Sequence, residues 1–329
     1  RLMLKGKGKP NLGVTYDSSK KASQSIQFDE TKARTGVFSP IFAEKVRRDQ
    51  SLLLDDVFIM QSKSPDDLNR FLSNFSSRGL TYLMIDGEMF DKSQIYTTLM
   101  MHWKKMEALK VMPRYVEMLE QNTVQRTASS VQAGVKSYLT PQRGSGDSDT
   151  LDGNCDVSQA AYARFISRIR HAIKFILIMG DDVTIAVTDD VDTQTVEADC
   201  IREFNLSVKL TKSKYGEFVS GWLVHMPDYS IRWVTDPMKR AVSLGDQSVS
   251  EQVDFFEKWE GFRDLCKGLE GHAVQDYLSR AMSAYYTRVF GASVSIQTAL
   301  QVVRAVSTLA KNYDLYRSCW ALQATRRHN

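Results

Sequence analysis

Long hydrophobic runs are missing from this chain. The longest strictly apolar stretch, Phe175 to Met179, has five residues, whereas a membrane-spanning helix needs about 20. No membrane insertion is therefore expected, and no signal-peptide pattern opens the sequence. Cysteine is scarce: Cys155, Cys200, Cys266 and Cys319 stand far apart. That spacing disfavours a zinc cluster or a disulfide framework and suits a reducing compartment. The five histidines, His102, His171, His225, His272 and His328, are equally dispersed and read as surface or structural residues. There is no local Ser/His/Asp or Cys/His pairing, no internal repeat and no low-complexity tract. What is there is an ordinary globular balance, 43% hydrophobic and 25% charged over 329 residues, enough for two or three domains. The first residue is Arg1, so the sequence reads as a piece of a longer protein.

The net charge of +4 says less than its distribution. The first 21 residues hold Arg1, Lys5, Lys7, Lys9, Lys20 and Lys21 against the single acid Asp17. Such an arm suits phosphates, or is simply a solvated tail.

Further along, two apolar runs flank an acidic turn in Phe175–Val187, which predicts a β-hairpin with Asp181 and Asp182 at its tip. Adjacent carboxylates on a rigid turn make a binding point for a divalent metal. The tripeptide Gly180-Asp181-Asp182 alone is weak, since it arises by chance in roughly one chain of this length in fifteen. Its setting carries more. Thr81–Ile85 is a short buried-type strand ending on Asp86, and a carboxylate leaving a buried strand can meet a hairpin tip on a neighbouring one. Asp86 and Asp181 can then hold two Mg²⁺ ions between them. A third element, Ser145-Gly146 followed by Thr150 and Asn154, puts a flexible loop before a helix, with Thr150 and Asn154 on one helical face. Hydroxyl and amide groups there can read a ribose 2′-OH.

Elsewhere, Ile95–Leu119 reads as one helix, and Phe218–His225 and Ser230–Val234 as strands. After Leu244-Gly245 the pattern is helical throughout. Ser248 with Glu251 forms a candidate capping box. Apolar stripes Phe255/Trp259/Phe262/Cys266, Val274/Leu278/Ala281/Tyr285/Val289 (closed by Gly291) and Ile296/Leu300/Val303/Ala310 read as core.

Taken in order, Asp86…Asp91, then Ser145-Gly146…Thr150…Asn154, then Gly180-Asp181-Asp182 resemble motifs A, B and C of viral RNA-dependent RNA polymerases. Asp91-Lys92-Ser93-Gln94 resembles the alphavirus-like superfamily of positive-strand RNA viruses. Val208–Val224 resembles its motif D region, and Asp236-Pro237-Met238-Lys239-Arg240 with Leu244-Gly245 its motif E. Met3–Lys21 and Gly36–Phe42 are similar to the fingers of tobamovirus-like (virga-like) replicases. Gly87 stands where the family usually has a larger apolar residue.

The resemblance implies an α+β right-hand polymerase with an antiparallel palm sheet. Partial fingers would occupy 1–80, a palm 81–245 with a fingers insertion at about 96–142, and a partial helical thumb 246–329. It implies template-directed RNA synthesis with Mg²⁺, or Mn²⁺ in its place, on Asp86, Asp181 and the supporting Asp182. Asp91, Ser145, Gly146, Thr150 and Asn154 would hold and select the ribose. Lys209 would be the acid for departing pyrophosphate, with Lys212 as fallback. Lys5, Lys20 and Lys21 would neutralise the triphosphate, and Arg143 would touch template or nucleotide. The implied partners are an RNA template and product strand, ribonucleoside triphosphates, and helicase and capping domains of the same replicase. The implied setting is the host cytoplasm, in a replication complex joined to membrane through other regions. Three competing readings are a catalytically silent palm-fold RNA-binding scaffold, a reverse transcriptase or DNA polymerase palm, and a metal-dependent phosphatase or nuclease. The intact acids with Asn154, the Asp91–Asn154 pair, and the lack of His beside the acidic motifs argue against each in turn.

Overall fold

The computed structural model describes residues 2–4, 26–28, 32–88, 90–125, 127–130, 135–138, 140–144, 147–245 and 255–326. Lys5, Lys20, Lys21, Ser145, Gly146 and the Ser248/Glu251 pair lie outside them. In chain order the elements are β1 (Leu2–Leu4), β2 (Ile26–Phe28), α1 (Lys32–Gln50), β3 (Val57–Ile59), α2 (Pro65–Leu72), β4 (Thr81–Gly87), α3 (Phe90–Ser93), α4 (Tyr96–Ala108), α5 (Pro113–Val124), β5 (Thr127–Ser130), β6 (Val135–Tyr138) and α6 (Thr150–Ile169). There follow β7 (Ile173–Met179), β8 (Asp182–Val187), α7 (Val196–Phe204), β9 (Val208–Ser213), β10 (Gly216–Phe218), β11 (Gly221–His225), β12 (Ile231–Thr235), α8 (Pro237–Gly245), α9 (Phe255–Leu265), α10 (His272–Phe290), α11 (Ile296–Lys311) and α12 (Tyr313–Arg326). They form two compact units. One takes its described residues from 2–64 and Gly79–Gly216, the other from Pro65–Arg78 and 217–326.

The first unit is built on a five-stranded sheet in the order β3-β7-β8-β4-β9. All neighbouring pairs are antiparallel except the edge strand β3, which runs parallel to β7 with Val57 opposite Ile176. Strand β7 is buried continuously from Phe175 to Ile178, which is why its sequence is an unbroken apolar run rather than an alternation. On one face of the sheet, Leu83, Ile85, Ile176, Ile178, Val183, Ile185 and Val187 pack with Cys155, Val157, Tyr162, Phe165 and Ile169 of α6. A second apolar cluster joins Phe38 and Phe42 of α1 to Leu99, Trp103 and Met106 of α4 and Val116 and Leu119 of α5.

Helix α1 is the element least visible in the sequence. Gly36 and the internal Pro40 disguise it, yet Phe38, Phe42 and Val46 recur every four residues and are buried. The single helix expected over Ile95–Leu119 is in fact two. Lys110 adopts a left-handed φ of 63°, and Pro113 starts α5 at its first turn, where its missing N–H costs nothing.

The second unit holds a three-stranded sheet, β10-β11-β12, and is otherwise helical. The strand expected over Phe218–His225 is broken at Val219 and Ser220, whose φ values of 48° and 57° turn the chain between β10 and β11. Asp236 explains the Asp-Pro-Met-Lys-Arg segment. Its carboxylate accepts the Met238 N–H at 2.8 Å and the Tyr286 hydroxyl at 2.7 Å, capping α8, which opens on Pro237. In α10 the buried stripe runs Val274, Leu278, Ala281, Met282 and Tyr286, and Val289 is exposed. Gly291 closes the helix in the left-handed region, as expected.

Candidate active site

The β7–β8 hairpin closes on two residues, with Met179 paired to Asp182. Gly180 takes φ +66° and is the one central residue with positive φ, the pattern of a II′ turn, which matches strand twist. The tip is pinned to α6. The Gly180 carbonyl accepts the Ser158 hydroxyl at 2.7 Å, and its N–H donates to Cys155 Sγ at 3.1 Å. Burial pushes the Cys155 thiol up to about 12, so it stays a neutral acceptor. A β-carbon at Gly180 would sit 3.2 Å from Leu151 and 3.7 Å from Asn154. Left-handed backbone and close helix approach both require glycine here.

Asp181 therefore occupies the turn, and Asp182 opens β8. On β4, Ile85 faces Val183. Continuing that register one step sets Asp86 level with Asp182, while on its other side Asp86 is paired with Lys209 of β9. Asp86 is exposed and the other two acids are half-buried. Burial raises the pKa of the Tyr162 hydroxyl, and Cys200, Asp181 and Asp86 raise it further. Lys209 is thus the cross-strand neighbour of Asp86, whereas Lys212 is paired with Asp190. The room left by Gly87 is filled by Phe90, whose ring carbon would lie 2.4 Å from a β-carbon at that position. A set of three carboxylates on adjacent strand ends is an all-oxygen donor set, which fits Mg²⁺ or Mn²⁺.

Beside this sits a hydrogen-bonded chain of side chains. Asn154 Nδ2 donates to Asp91 Oδ1 at 2.8 Å, and Gln94 Nε2 donates to Asn154 Oδ1 at 2.6 Å. Arg143 Nε donates to Gln94 Oε1 at 2.7 Å, and its Nη1 donates to Asp149 at 2.9 Å. The family resemblance puts Arg143 at template or nucleotide. It is instead 3% exposed, with its guanidinium against Gly153, where a β-carbon would lie 2.2 Å from Cζ. Thr150 shares a helical face with Asn154, but its hydroxyl donates to the Gly144 carbonyl at 2.6 Å and ties the loop to the helix.

Behind α6 lies a charge cluster that sequence reading missed. Lys45, fully buried, donates to Asp152 at 2.8 Å and to Asp156 at 2.7 Å. Asp156 also takes His102 Nδ1 and Lys105, each at 2.6 Å, and Lys105 reaches Asp49 at 2.7 Å. Burial opposes a charged Lys45, but Asp156 and Asp152 outweigh it and raise its pKa. Burial likewise opposes a charged Asp156, and His102, Lys45 and Lys105 overcome it to lower its pKa; Asp152, with less help, is raised by burial. His102, Asp152 and Asp156 are close enough together to hold a metal ion, but the Lys45 ammonium already supplies the cation. Lone charged residues in α1, α4 and α6 give no sequence signal, because their partners are 51 to 111 positions away.

The model of the family described as RNA dependent RNA polymerase matches residues 1–312 of this chain. The chain belongs to that family. Relatives of the chain include the replicase large subunits of Youcai mosaic virus and Turnip vein-clearing virus. They are 27% identical over 295 and 293 residues, 89% and 88% of this chain. The chain spans 18% of each relative's length. In fold, the chain is similar to the solved RNA-dependent RNA polymerase of a human picorbirnavirus (TM-score 0.57, 13% identity, covering 93% of this chain and 62% of that one) and to its insertion-loop deletion mutant (TM-score 0.56, 14% identity, covering 93% and 61%). The motif resemblance to a positive-strand, alphavirus-like polymerase and the α+β fold expected from it agree with these relatives. Membership implies use of a divalent metal.

Proposed function

We propose that the chain carries out template-directed RNA synthesis as the polymerase part of a viral replicase, through a two-metal mechanism. The observation that carries this is the strand register, which sets Asp182 level with Asp86 and leaves Asp181 in the adjoining hairpin turn. Asp86, Asp181 and Asp182 would hold Mg²⁺, or Mn²⁺ in its place. Bound there, such ions acidify a strand's 3′-hydroxyl and neutralise a triphosphate. The protein's own residues do the rest. Asn154 and Asp91 present a donor and an acceptor to the ribose hydroxyl. Lys209, the cross-strand partner of Asp86, would protonate the departing pyrophosphate. Ser145, Gly146, Lys5, Lys20 and Lys21 keep the nucleotide-contacting roles the family resemblance gives them. The division into fingers, palm and thumb, the helicase and capping partners, and a membrane-associated complex in the host cytoplasm belong to the same proposal.

The test is ribonucleotide incorporation on an RNA template with Mg²⁺ or Mn²⁺, by this chain and its Asp181→Asn variant. Incorporation that disappears in the variant is expected. Equal incorporation in both would overturn the metal assignment.

A further inference from the structure

We propose that Gln94 is a positioning residue for sugar selection: it dictates which end of the Asn154 amide faces the ribose. This rests on the polymerase reading above. The chain of hydrogen bonds begins at Arg143, which can only donate, and ends at the Asp91 carboxylate, which can only accept. Between them stand two amides, each with one accepting and one donating end. Arg143 forces the Gln94 oxygen toward itself, so the Gln94 NH₂ must face Asn154. The Asn154 carbonyl must then face Gln94, and its NH₂ must point to Asp91. One orientation of both amides satisfies every bond. The order is therefore imposed by chemistry along the chain.

The consequence lies at the Asp91 end, where Asp91 is half-buried and Asn154 is 6% exposed. The Asn154 NH₂ has a second N–H, and the Asp91 carboxylate a second oxygen. A hydroxyl can accept the one and donate to the other. A 2′-deoxy sugar leaves both without a partner, the kind of mismatch that discriminates strongly. Gln94 touches no substrate and is fully buried, yet it keeps a donor from being exchanged for an acceptor. Gly153 is part of the same device, because a side chain there would displace the Arg143 guanidinium.

Gln94→Glu tests this with almost no change of shape. The carboxylate it introduces still accepts from Arg143 but no longer donates to Asn154. The Asn154 amide then lies between two carboxylates, and nothing holds its NH₂ on Asp91 in preference to the other side. On a homopolymer RNA template with Mg²⁺, the ratio of kcat/KM for the matching ribonucleotide over its 2′-deoxy analogue is expected to fall at least about tenfold. The loss should lie in ribonucleotide KM, with the deoxy value within about twofold of the parent. Gln94→Met, which removes both bonds but leaves Asp91 to hold the amide, should lower the ratio in the same direction by a smaller factor. Calorimetric titration of both triphosphates and a thermal melt accompany each variant. Parallel loss of ribo and deoxy incorporation, or an unchanged ratio in either variant, overturns the positioning role and leaves the polymerase reading intact. A parent chain that neither incorporates nor binds nucleotide overturns both.

Discussion

Replacing Lys45 by Met is expected to destabilise the fold by about 3–5 kcal/mol, the cost of breaking a buried ion pair by removing one partner. The figure follows from what each carboxylate keeps. Asp156 retains His102 and Lys105, both at 2.6 Å, and stays paired. Asp152 retains no cation within hydrogen-bonding distance among the described residues, and it is 2% exposed. Its loss of Lys45 therefore leaves one buried carboxylate with no hydrogen-bonded cation and only His102 nearby, against a total stability of about 5–15 kcal/mol. Urea unfolding followed by far-UV circular dichroism measures the loss. The double variant Lys45→Met, Asp152→Leu should recover more than half of it, since an apolar pair can replace a buried ion pair at little cost. The deficit also has a pH signature. Burial already raises the Asp152 pKa, and removing Lys45 raises it further. A raised carboxyl pKa weakens the fold above that value, so the deficit should shrink on acidification. A loss under about 1 kcal/mol, or a double variant no better than the single, would refute the reasoning.

Three more outcomes can be checked. Gly180→Ala should cost at least about 1–2 kcal/mol, because alanine must adopt the left-handed φ, and Leu151 at 3.2 Å must also give way; an unchanged melting temperature would contradict the pinned tip. In the parent protein, the raised Lys45 pKa contributes stability that is intact below the ordinary lysine value of 10.5 and lost as pH climbs through the higher folded value. Urea midpoints should therefore fall as the pH climbs above the ordinary lysine value of 10.5 in the parent, and less in Lys45→Met. Lys209→Leu should lower kcat by about 10²–10⁴ with little change in ribonucleotide KM, and an equal fall in Lys212→Leu would transfer the role to Lys212.

The hairpin and the strand ending on Asp86 are legible in the sequence because both are local. An apolar run bounded by glycine and aspartate needs no distant partner to announce itself. Asp91 and Asn154 emerge through spacing and resemblance. So does Arg143, but not its place inside the protein, because its burial depends on the missing side chain of Gly153 and on Asp149. Gln94 sits in a segment that draws notice for its likeness to a family, yet its function lies in which atom faces Arg143, and no pattern of residue types records that. Lys45 and His102 stay hidden for a related reason. A charged residue in a helix reads as solvated until its partners are known, and theirs come from another part of the chain.

Lys45 waits a long time for those partners. It precedes Asp156 by 111 residues, and ribosomes add about 5–20 residues per second, so roughly 6 to 22 seconds separate the two in synthesis. Until α6 emerges, α1 carries an ammonium that it cannot bury alone. The second cluster, Phe38 and Phe42 against α4 and α5, can form earlier. Folding on the ribosome thus has a built-in order: a greasy docking first, then an ionic lock when α6 arrives. A nascent chain stopped between the two would expose Lys45 and Asp49 of α1, charges that the finished protein buries.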